Sequence, residues 1–406
     1  MDTDFKFNLA GLIHAVELLG QKFDPVSPIV LPKSLPTLGI GSNESLSKLA
    51  PIVLGGSMRL GQPLSLAHMD PPTPWITWAI SIWNSALNQN LLHPATGPAA
   101  REIERIVVDW LIPFFGMSGG HMTPGSTVAN LTALWAARDA VGIDTVVFSE
   151  SAHLSIAKAA HILGLKQVVL PVDHSGAIVS SCIPNDMSKS VLVLTAGTTS
   201  TGAIDPLCLA GKAAWTHVDA AWAGPLRLTR YAYLLDGIEN ADSIAVSSHK
   251  WLFQPKESAL VFFKDTDRAN AAISFGGAYL AVPNIGLLGS HGATAIPLLA
   301  TLLALGKEGI SERIERCFDI SCELANFISS RHELDLLAQP KTGVVLWKHK
   351  DASLFDEIFE LLPTGSVSVA KHDNSRWFRN VAANPNADLS QIVLAIDHAL
   401  NVSNNV

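Results

Sequence analysis

The sequence predicts an α/β protein built on a largely parallel β-sheet. After Pro124-Gly125, short apolar runs rich in β-branched residues alternate with helical stretches, a pattern typical of strand–helix–strand units. Polar clusters follow several of these runs, where open α/β sheets place their ligand sites. The predicted strands cover residues 145–148, 167–170, 191–194, 216–218 and 243–246.

The remaining elements divide the 406 residues into three parts. Apolar residues at helical spacing predict an amphipathic helix over residues 5–20, and a Pro/Ser/Gly-rich passage follows it to about residue 63. We therefore expect an N-terminal helix with an extended arm or lid over residues 1–74. A large domain would span 75–310, and a small C-terminal α+β domain 311–406, because a long helical stretch leads there into the apolar run 343–347.

Composition restricts the partners of the chain. Hydrophobic residues make up 48% and charged residues 16%, which indicates a large core and a surface partly covered by a second subunit, so a homodimer is expected. A net charge of −8 without a Lys/Arg run argues against binding of nucleic acid or an anionic membrane. The longest apolar run, 295–305, is too short for a membrane span.

The four cysteines lack the spacing of zinc ligands and the density of a secreted disulfide scaffold. No metal site is predicted from them. The N-terminus is acidic before its first apolar stretch, the wrong charge for a signal or transit peptide. A reducing, cytoplasmic location is the expectation.

Lys250 and Asp219 are the most informative pair in the sequence. Lys250 lies between the apolar runs 244–246 and 251–253, and Asp219 follows a predicted buried strand. Pyridoxal phosphate (PLP) requires a lysine amine to form an imine with its aldehyde and a carboxylate to keep its pyridine nitrogen protonated. The pair therefore predicts a PLP site. Each residue alone has an ordinary explanation, as a surface lysine or a helix cap.

Three further groups are candidates for the same site. Gly125, Ser126 and Thr127 precede an apolar helical run, where backbone N–H groups and hydroxyls suit a phosphate, although simple N-capping is the alternative. His153 follows a strand and is placed to lie against a pyridine ring, although it can equally be a structural histidine. Thr199 belongs to a Thr/Gly loop after the strand 191–194.

Taken in order, these motifs resemble the group II PLP-dependent amino-acid decarboxylases of fold type I, which include aromatic-amino-acid, glutamate, histidine and diaminobutyrate decarboxylases. The resemblance covers roughly residues 65–390. The matching segments are AHMDPPTP at 67–74, TPGSTVANLTAL at 123–134, SAHLSIAKAA at 151–160, AGTTSTGAIDP at 196–206, HVDAAWAGP at 217–225, SSHKWL at 247–252 and FRNVAANP at 378–385.

The resemblance implies a fold type I PLP-dependent transferase fold, with a mainly parallel seven-stranded sheet in the large domain. It also implies a role for each matching residue. Lys250 would form the imine, Asp219 would bind the pyridine nitrogen, His153 would stack on the ring and Ala221 would touch its other face. Gly125, Ser126, Thr127, Ser247 and His249 would hold the phosphate, Thr199 would support the site, and Arg379 would pair with a substrate carboxylate.

The implied activity is decarboxylation of an L-amino acid, or an amino-acid-like group, to the corresponding amine, with the active site at the interface of a homodimer. The stretch 274–293 is shorter than the loop that carries a proton-donating tyrosine in many members of the family. Tyr279 and His291 are the two candidates for that donor. Alternatively, Tyr279 only packs, and His291 binds phosphate or substrate across the interface.

Two other functions remain open at this point. The Lys/Asp framework is common to fold type I, so transamination, carbon–carbon lyase chemistry or oxidative deamination are alternatives. A PLP-fold protein that binds a ligand without catalysis is the third reading, against which the intact Lys250, Asp219 and His153 argue.

Overall fold

The computed structural model describes residues 5–278, 280 and 282–403. They form two compact units, one ending at Arg59 and the other beginning at Leu60. The helices are α1 Leu9–Leu19, α2 Ser42–Gly55, α3 Trp75–Leu87, α4 Pro98–Leu111, α5 Ser126–Val141, α6 Leu154–Ile162, α7 Thr266–Ile273, α8 Ala295–Ser330, α9 Phe355–Leu361 and α10 Leu389–Ser403. None of the helices described is long and apolar enough to cross a membrane.

The strands form three sheets, of seven, four and two strands. They are β1 Gly119–Thr123, β2 Thr145–Ser149, β3 Lys166–Leu170, β4 Ser190–Thr195, β5 Trp215–Asp219, β6 Ser243–Ser247, β7 Ala259–Phe263, β8 Ser274–Phe275, β9 Asn284–Ile285, β10 Leu334–Leu336, β11 Val344–His349, β12 Ser368–His372 and β13 Ser375–Val381.

The unit that ends at Arg59 contains two helices. The amphipathic helix predicted over residues 5–20 is confirmed as α1, which begins where the Asn8 side chain accepts a hydrogen bond of 3.0 Å from the Gly11 N–H. The passage that follows, expected to be part of an extended arm or lid, contains the 14-residue helix α2, with Pro51 inside it. The Pro/Ser/Gly content of the passage as a whole concealed this short apolar stretch.

The seven-stranded sheet confirms the predicted α/β class. Its strand order is β1-β7-β6-β5-β4-β2-β3, and all five predicted strands are present within it. Strands β2 to β6 pair in parallel, while β7 runs antiparallel to both of its neighbours, β1 and β6. Parallel strands that are covered on both faces are apolar along their length, and all six residues of β4 are buried.

Helix α5 packs closely because its sheet-facing residues are small. It begins after Gly125, whose φ of +105° suits only glycine, and it ends at the left-handed Gly142. Its inward residues Ala129, Ala133, Ala136 and Ala137 have no exposed surface. The start of α5 is thereby held close to the strand ends.

The four-stranded antiparallel sheet has the order β10-β11-β13-β12, and most of the apolar run at residues 343–347 lies in its strand β11. It shares one hydrophobic core with the large sheet. Trp222 and Trp251, whose ring centroids lie 4.2 Å apart, donate to the Thr342 and Ala382 carbonyls respectively. Helix α8 leads from one sheet to the other across residue 310. The predicted divisions at 74/75 and 310/311 stay predictions.

Candidate functional site

The candidate site lies at the carboxyl edge of the large sheet. The final residues of β2, β4, β5 and β6 are Ser149, Thr195, Asp219 and Ser247. Because these strands are parallel, their ends meet at one edge, where α/β folds bind ligands. The polar clusters that the sequence placed after separate strands therefore belong to one site.

Asp219 is 4% exposed and has both carboxylate oxygens engaged. Its Oδ1 accepts a hydrogen bond of 3.1 Å from the Ala221 N–H, and its Oδ2 accepts one of 2.9 Å from the Asn130 side-chain amide. Each oxygen of an ionised carboxylate can accept a further hydrogen bond. Asp219 is thus fixed in orientation while keeping acceptor capacity.

Lys250 lies in the turn after β6. Burial lowers the pKa of its amine, and the charges of Asp219 and Asp70 oppose that effect, while those of Lys256 and Arg379 add to it. A lysine of lowered pKa presents more of the uncharged amine that reacts with an aldehyde. Asp70 and Lys256, whose charges both act on Lys250, also form an ion pair with each other.

His153 caps the start of α6. Its Nδ1 accepts a hydrogen bond of 3.2 Å from the Ser155 N–H and lies 2.8 Å from the Ser155 hydroxyl. Burial lowers the pKa of His153, and the charges of Asp219 and Lys250 act on it in opposite directions. The structure therefore brings His153, Asp219 and Lys250 together, as the sequence predicted.

Several buried donors at this edge have no partner among the described residues. They include the hydroxyls of Ser126 and Ser247 and the Nδ1 of His249. A Cβ built on Gly125 would lie 3.7 Å from His249 Cε1, so the start of α5 and the turn after β6 adjoin. Hydroxyls, an imidazole and a helix N-terminus form a donor set suited to a phosphate group. The residues present therefore fit the phosphate of PLP.

The other predicted cofactor residues, Ala221, Thr127 and Thr199, differ in their burial and contacts. Ala221 is buried, and its N–H contacts Asp219. Thr127 is exposed in the first turn of α5. The side chain of Thr199 is also exposed, and its carbonyl accepts a 2.9 Å hydrogen bond from Arg379 Nε.

Arg379 is a buried cation on β13, 8% exposed. Its Nη1 lies 3.2 Å from both the Ala67 carbonyl and the Ser368 hydroxyl. Burial lowers its pKa to about 10, and the charge of Asp70 opposes that shift. In the described part of the chain, no carboxylate lies within ion-pair distance of Arg379, and no hydrogen bond uses its Nη2.

The two candidate proton donors both belong to the segment 274–293. Tyr279 lies outside the described residues. His291 lines a groove of about 700 Å³ together with Glu104 and His121, and its charge acts on the pKa values of those two residues rather than on that of Lys250.

Sequence reasoning missed the buried side chains that support the site. Asn130 and His217 lie within the quoted motifs, but neither was singled out, and Ser155 was also passed over. Their position after a helix start or within a strand was the only available signal, since their partners are remote in sequence.

Comparison with known proteins agrees with this geometry. The chain is 29% identical over 352 residues to L-2,4-diaminobutyrate decarboxylase of Rhizobium meliloti (strain 1021), which covers 78% of this chain and 71% of that relative. It is 26% identical over 378 residues to aspartate 1-decarboxylase of Aliivibrio fischeri (strain ATCC 700601 / ES114), covering 78% and 69% respectively.

A solved structure has the same fold. It is the glutamate decarboxylase domain of diaminobutyrate-pyruvate transaminase and L-2,4-diaminobutyrate decarboxylase from Vibrio parahaemolyticus, with a TM-score of 0.82, 21% identity, and coverage of 98% of this chain and 94% of that one. The family model described as the pyridoxal-dependent decarboxylase conserved domain matches residues 58–350. The chain therefore belongs to the pyridoxal-dependent decarboxylase family.

Proposed function

We propose that this protein is a carboxy-lyase that removes the α-carboxylate of an amino acid as carbon dioxide and releases the amine. The observation that carries the proposal is the meeting of Lys250, Asp219 and His153 beside unpartnered phosphate donors. When bound, PLP supplies an electron sink for the carbon that loses carbon dioxide. Family membership and the named relatives support the same reaction.

Lys250 and Asp219 have complementary tasks in this proposal. The Lys250 amine, whose pKa is lowered by burial, would hold the cofactor through its aldehyde. The Asp219 carboxylate, held by Ala221 and Asn130, would accept a hydrogen bond from the protonated pyridine nitrogen of the cofactor. A negative charge at this position would keep that proton in place.

His153 supplies an aromatic face and one free donor. Because its Nδ1 accepts from the Ser155 N–H, the proton of the neutral ring lies on Nε2. We infer that the imidazole would hold the pyridine ring of the cofactor, with its Nε2–H available to the substrate carboxyl group.

Arg379 is our candidate for recognising the substrate carboxylate. A buried guanidinium without a carboxylate partner is costly, and such a charge is retained where a ligand completes the pair. Its Nε and Nη1 are fixed by protein acceptors, which leaves Nη2 to bind an anion.

A panel of amino acids tests the reaction. The PLP-loaded protein would be incubated with diaminobutyrate, aspartate, glutamate and aromatic amino acids, and carbon dioxide and keto acid would be measured separately. We expect stoichiometric carbon dioxide and amine from at least one substrate. Keto acid without carbon dioxide would instead support transamination or oxidative deamination.

Variants connect the reaction to the residues. Lys250→Ala should abolish turnover and remove the PLP attachment that borohydride traps on wild-type protein, as measured by mass spectrometry of the Lys250 peptide. Lys341→Ala, at an exposed lysine, is the matched control and should behave as wild type. Unchanged turnover in Asp219→Ala, or no trapped PLP on Lys250 in the wild type, would contradict the assignment.

We further propose a homodimer with the active site at its interface. Helix α3 exposes the indole rings of Trp75 (70%), Trp78 (52%) and Trp83 (66%), an apolar surface of the kind that a partner covers. If His291 acts across that interface, mixing inactive Lys250→Ala and His291→Ala subunits should restore part of the activity. A monomer in sedimentation analysis would refute this proposal. A cytoplasmic location stays a proposal from the cysteine pattern, which cell fractionation would check.

A further inference from the structure

A continuous network of buried side chains runs beneath the candidate site. Trp215 Nε1 lies 2.8 Å from Ser243 Oγ, which lies 2.9 Å from His217 Nδ1. His217 Nε2 lies 2.9 Å from Asn130 Oδ1. Asn130 Nδ2 then lies 2.9 Å from both Asp219 Oδ2 and Ser155 Oγ. The network thus joins the strand core to the two groups proposed to hold the pyridine ring.

The hydrogen bonds of the network have one direction. Asn130 Oδ1 can only accept, so His217 Nε2 carries the proton that it donates there. Burial lowers the pKa of His217 to about 4, so the ring is neutral near pH 7 and its Nδ1 accepts from Ser243. The Ser243 hydroxyl in turn accepts from Trp215, which is only a donor.

The same logic continues on the other side of Asn130. His153 Nδ1 accepts from the Ser155 N–H, so it has no proton of its own and also accepts from the Ser155 hydroxyl at 2.8 Å. The free lone pairs of that hydroxyl accept the second amide proton of Asn130. The tautomers of both histidines and the orientation of the amide are therefore mutually determined.

Asn130 is the branch point of this arrangement. Rotating its amide by 180° would turn Oδ1 toward Asp219 Oδ2 and require Asp219 to be protonated. With Nε2–H of His217 holding Oδ1, the amide presents one N–H to Asp219 Oδ2 and the other to the Ser155 hydroxyl. Asn130, His217 and Ser155 are each 0% exposed, so water does not replace these contacts.

We propose that Asn130, oriented by the Nε2–H of His217, is a positioning residue that fixes the Asp219 carboxylate and, through Ser155, the His153 ring. This inference rests on the proposed function, because it assigns the network to the binding of the PLP pyridine ring. Neither Asn130 nor His217 needs to touch the substrate. Their effect is on the orientation of the Asp219 carboxylate and of the His153 ring.

The test compares Asn130→Leu with Thr132→Val. Thr132 lies on the same helix, is 1% exposed and has a hydroxyl without a partner among the described residues. Hydrogen bonds to charged groups contribute enough that losing one should lower kcat and PLP affinity about 10- to 100-fold. We expect this in Asn130→Leu with little change in KM, and wild-type values in Thr132→Val.

Two other variants separate positioning from packing. His217→Gln keeps an N–H donor for Asn130 and should retain most of the PLP affinity, whereas His217→Leu should lose it as Asn130→Leu does. Ser155→Ala removes only the branch to His153, so it should raise the lower pKa in the pH profile of kcat/KM while PLP affinity falls less than in Asn130→Leu. If Asn130→Leu does not fold, the Ser155→Ala variant still tests whether the network positions the His153 ring.

The PLP-binding readout distinguishes this inference from the proposed function. If the wild type binds PLP but releases no carbon dioxide, the proposed decarboxylation is wrong. The hydrogen-bond network can then still be tested by PLP affinity and by the pH dependence of the bound cofactor's absorbance. Equal PLP affinity and absorbance titrations in Asn130→Leu and Thr132→Val would overturn the inference. Equal losses in His217→Gln and His217→Leu would overturn it as well.

Discussion

Acid should destabilise this protein partly through His217. The ring is completely buried, and burial lowers its pKa from 6.5 to about 4, although the charge of Asp219 acts in the opposite direction. A histidine with a lower pKa in the folded state binds more protons when unfolded. Its contribution to stability is therefore complete above pH 6.5 and is lost as the pH falls toward 4.

The size of the effect follows from the shift. One pKa unit corresponds to about 1.4 kcal/mol, so a shift of about 2.5 units costs roughly 3 kcal/mol when protonation is complete. At pH 4.5 most of that cost is present, about 2.5 kcal/mol. A typical domain has a net stability of only about 5–15 kcal/mol, so the loss is measurable.

Urea unfolding at pH 7.0 and pH 4.5 gives the measurement, with protein concentration held constant. His121 and His249 also have pKa values lowered to about 4, so the wild-type loss alone does not identify His217. The comparison is with His217→Gln, which cannot titrate and should lose about 2.5 kcal/mol less between the two pH values. Equal losses in wild type and variant would refute the reasoning.

Three other predictions concern packing and the substrate anchor. Gly202 and Gly142 both have φ of +72°, but a Cβ at Gly202 would lie 2.6 Å from Thr342 Oγ1, and one at Gly142 meets open space. Thermal unfolding should show Gly202→Ala destabilised by about 2 kcal/mol more than Gly142→Ala, and equal values would contradict the packing. Arg379→Lys should raise KM about tenfold with a smaller change in kcat, which steady-state kinetics checks. The pKa of Arg379 is about 10, so its guanidinium loses charge at higher pH. The KM of the wild type should therefore increase when the pH exceeds about 10, and that of Arg379→Met should not.

The large sheet could be predicted from sequence because its parallel strands are continuous apolar runs. Strand β1 was missed because it contains Gly119, Gly120 and His121, which have no strand signature, and it forms only by pairing with β7. Its neighbour β7 is apolar, but its antiparallel direction depends on the turn after Lys250. Local propensity does not contain that information.

The candidate site was predictable to the extent that it follows strand ends. Lys250, Asp219 and His153 each have a local signal, and the structure brings them together. The contact of Asn130 with Asp219 spans 89 residues, so no local pattern indicates it. The position of His291 in a groove with Glu104 depends on contacts remote in sequence, since the His291 carbonyl accepts a hydrogen bond from the Leu91 N–H.

The location of Arg379 on β13 has a consequence for the order in which the site is made. Every residue proposed to hold PLP precedes Arg379 in the chain, and Arg379 becomes available only when the last strand of the small sheet joins β11 and β12. A ribosome would therefore synthesise the residues of the cofactor pocket before the carboxylate anchor. A chain that ends between α8 and β13 would lack the carboxylate anchor even if its cofactor pocket formed. Such a chain could bind PLP without being able to turn over substrate.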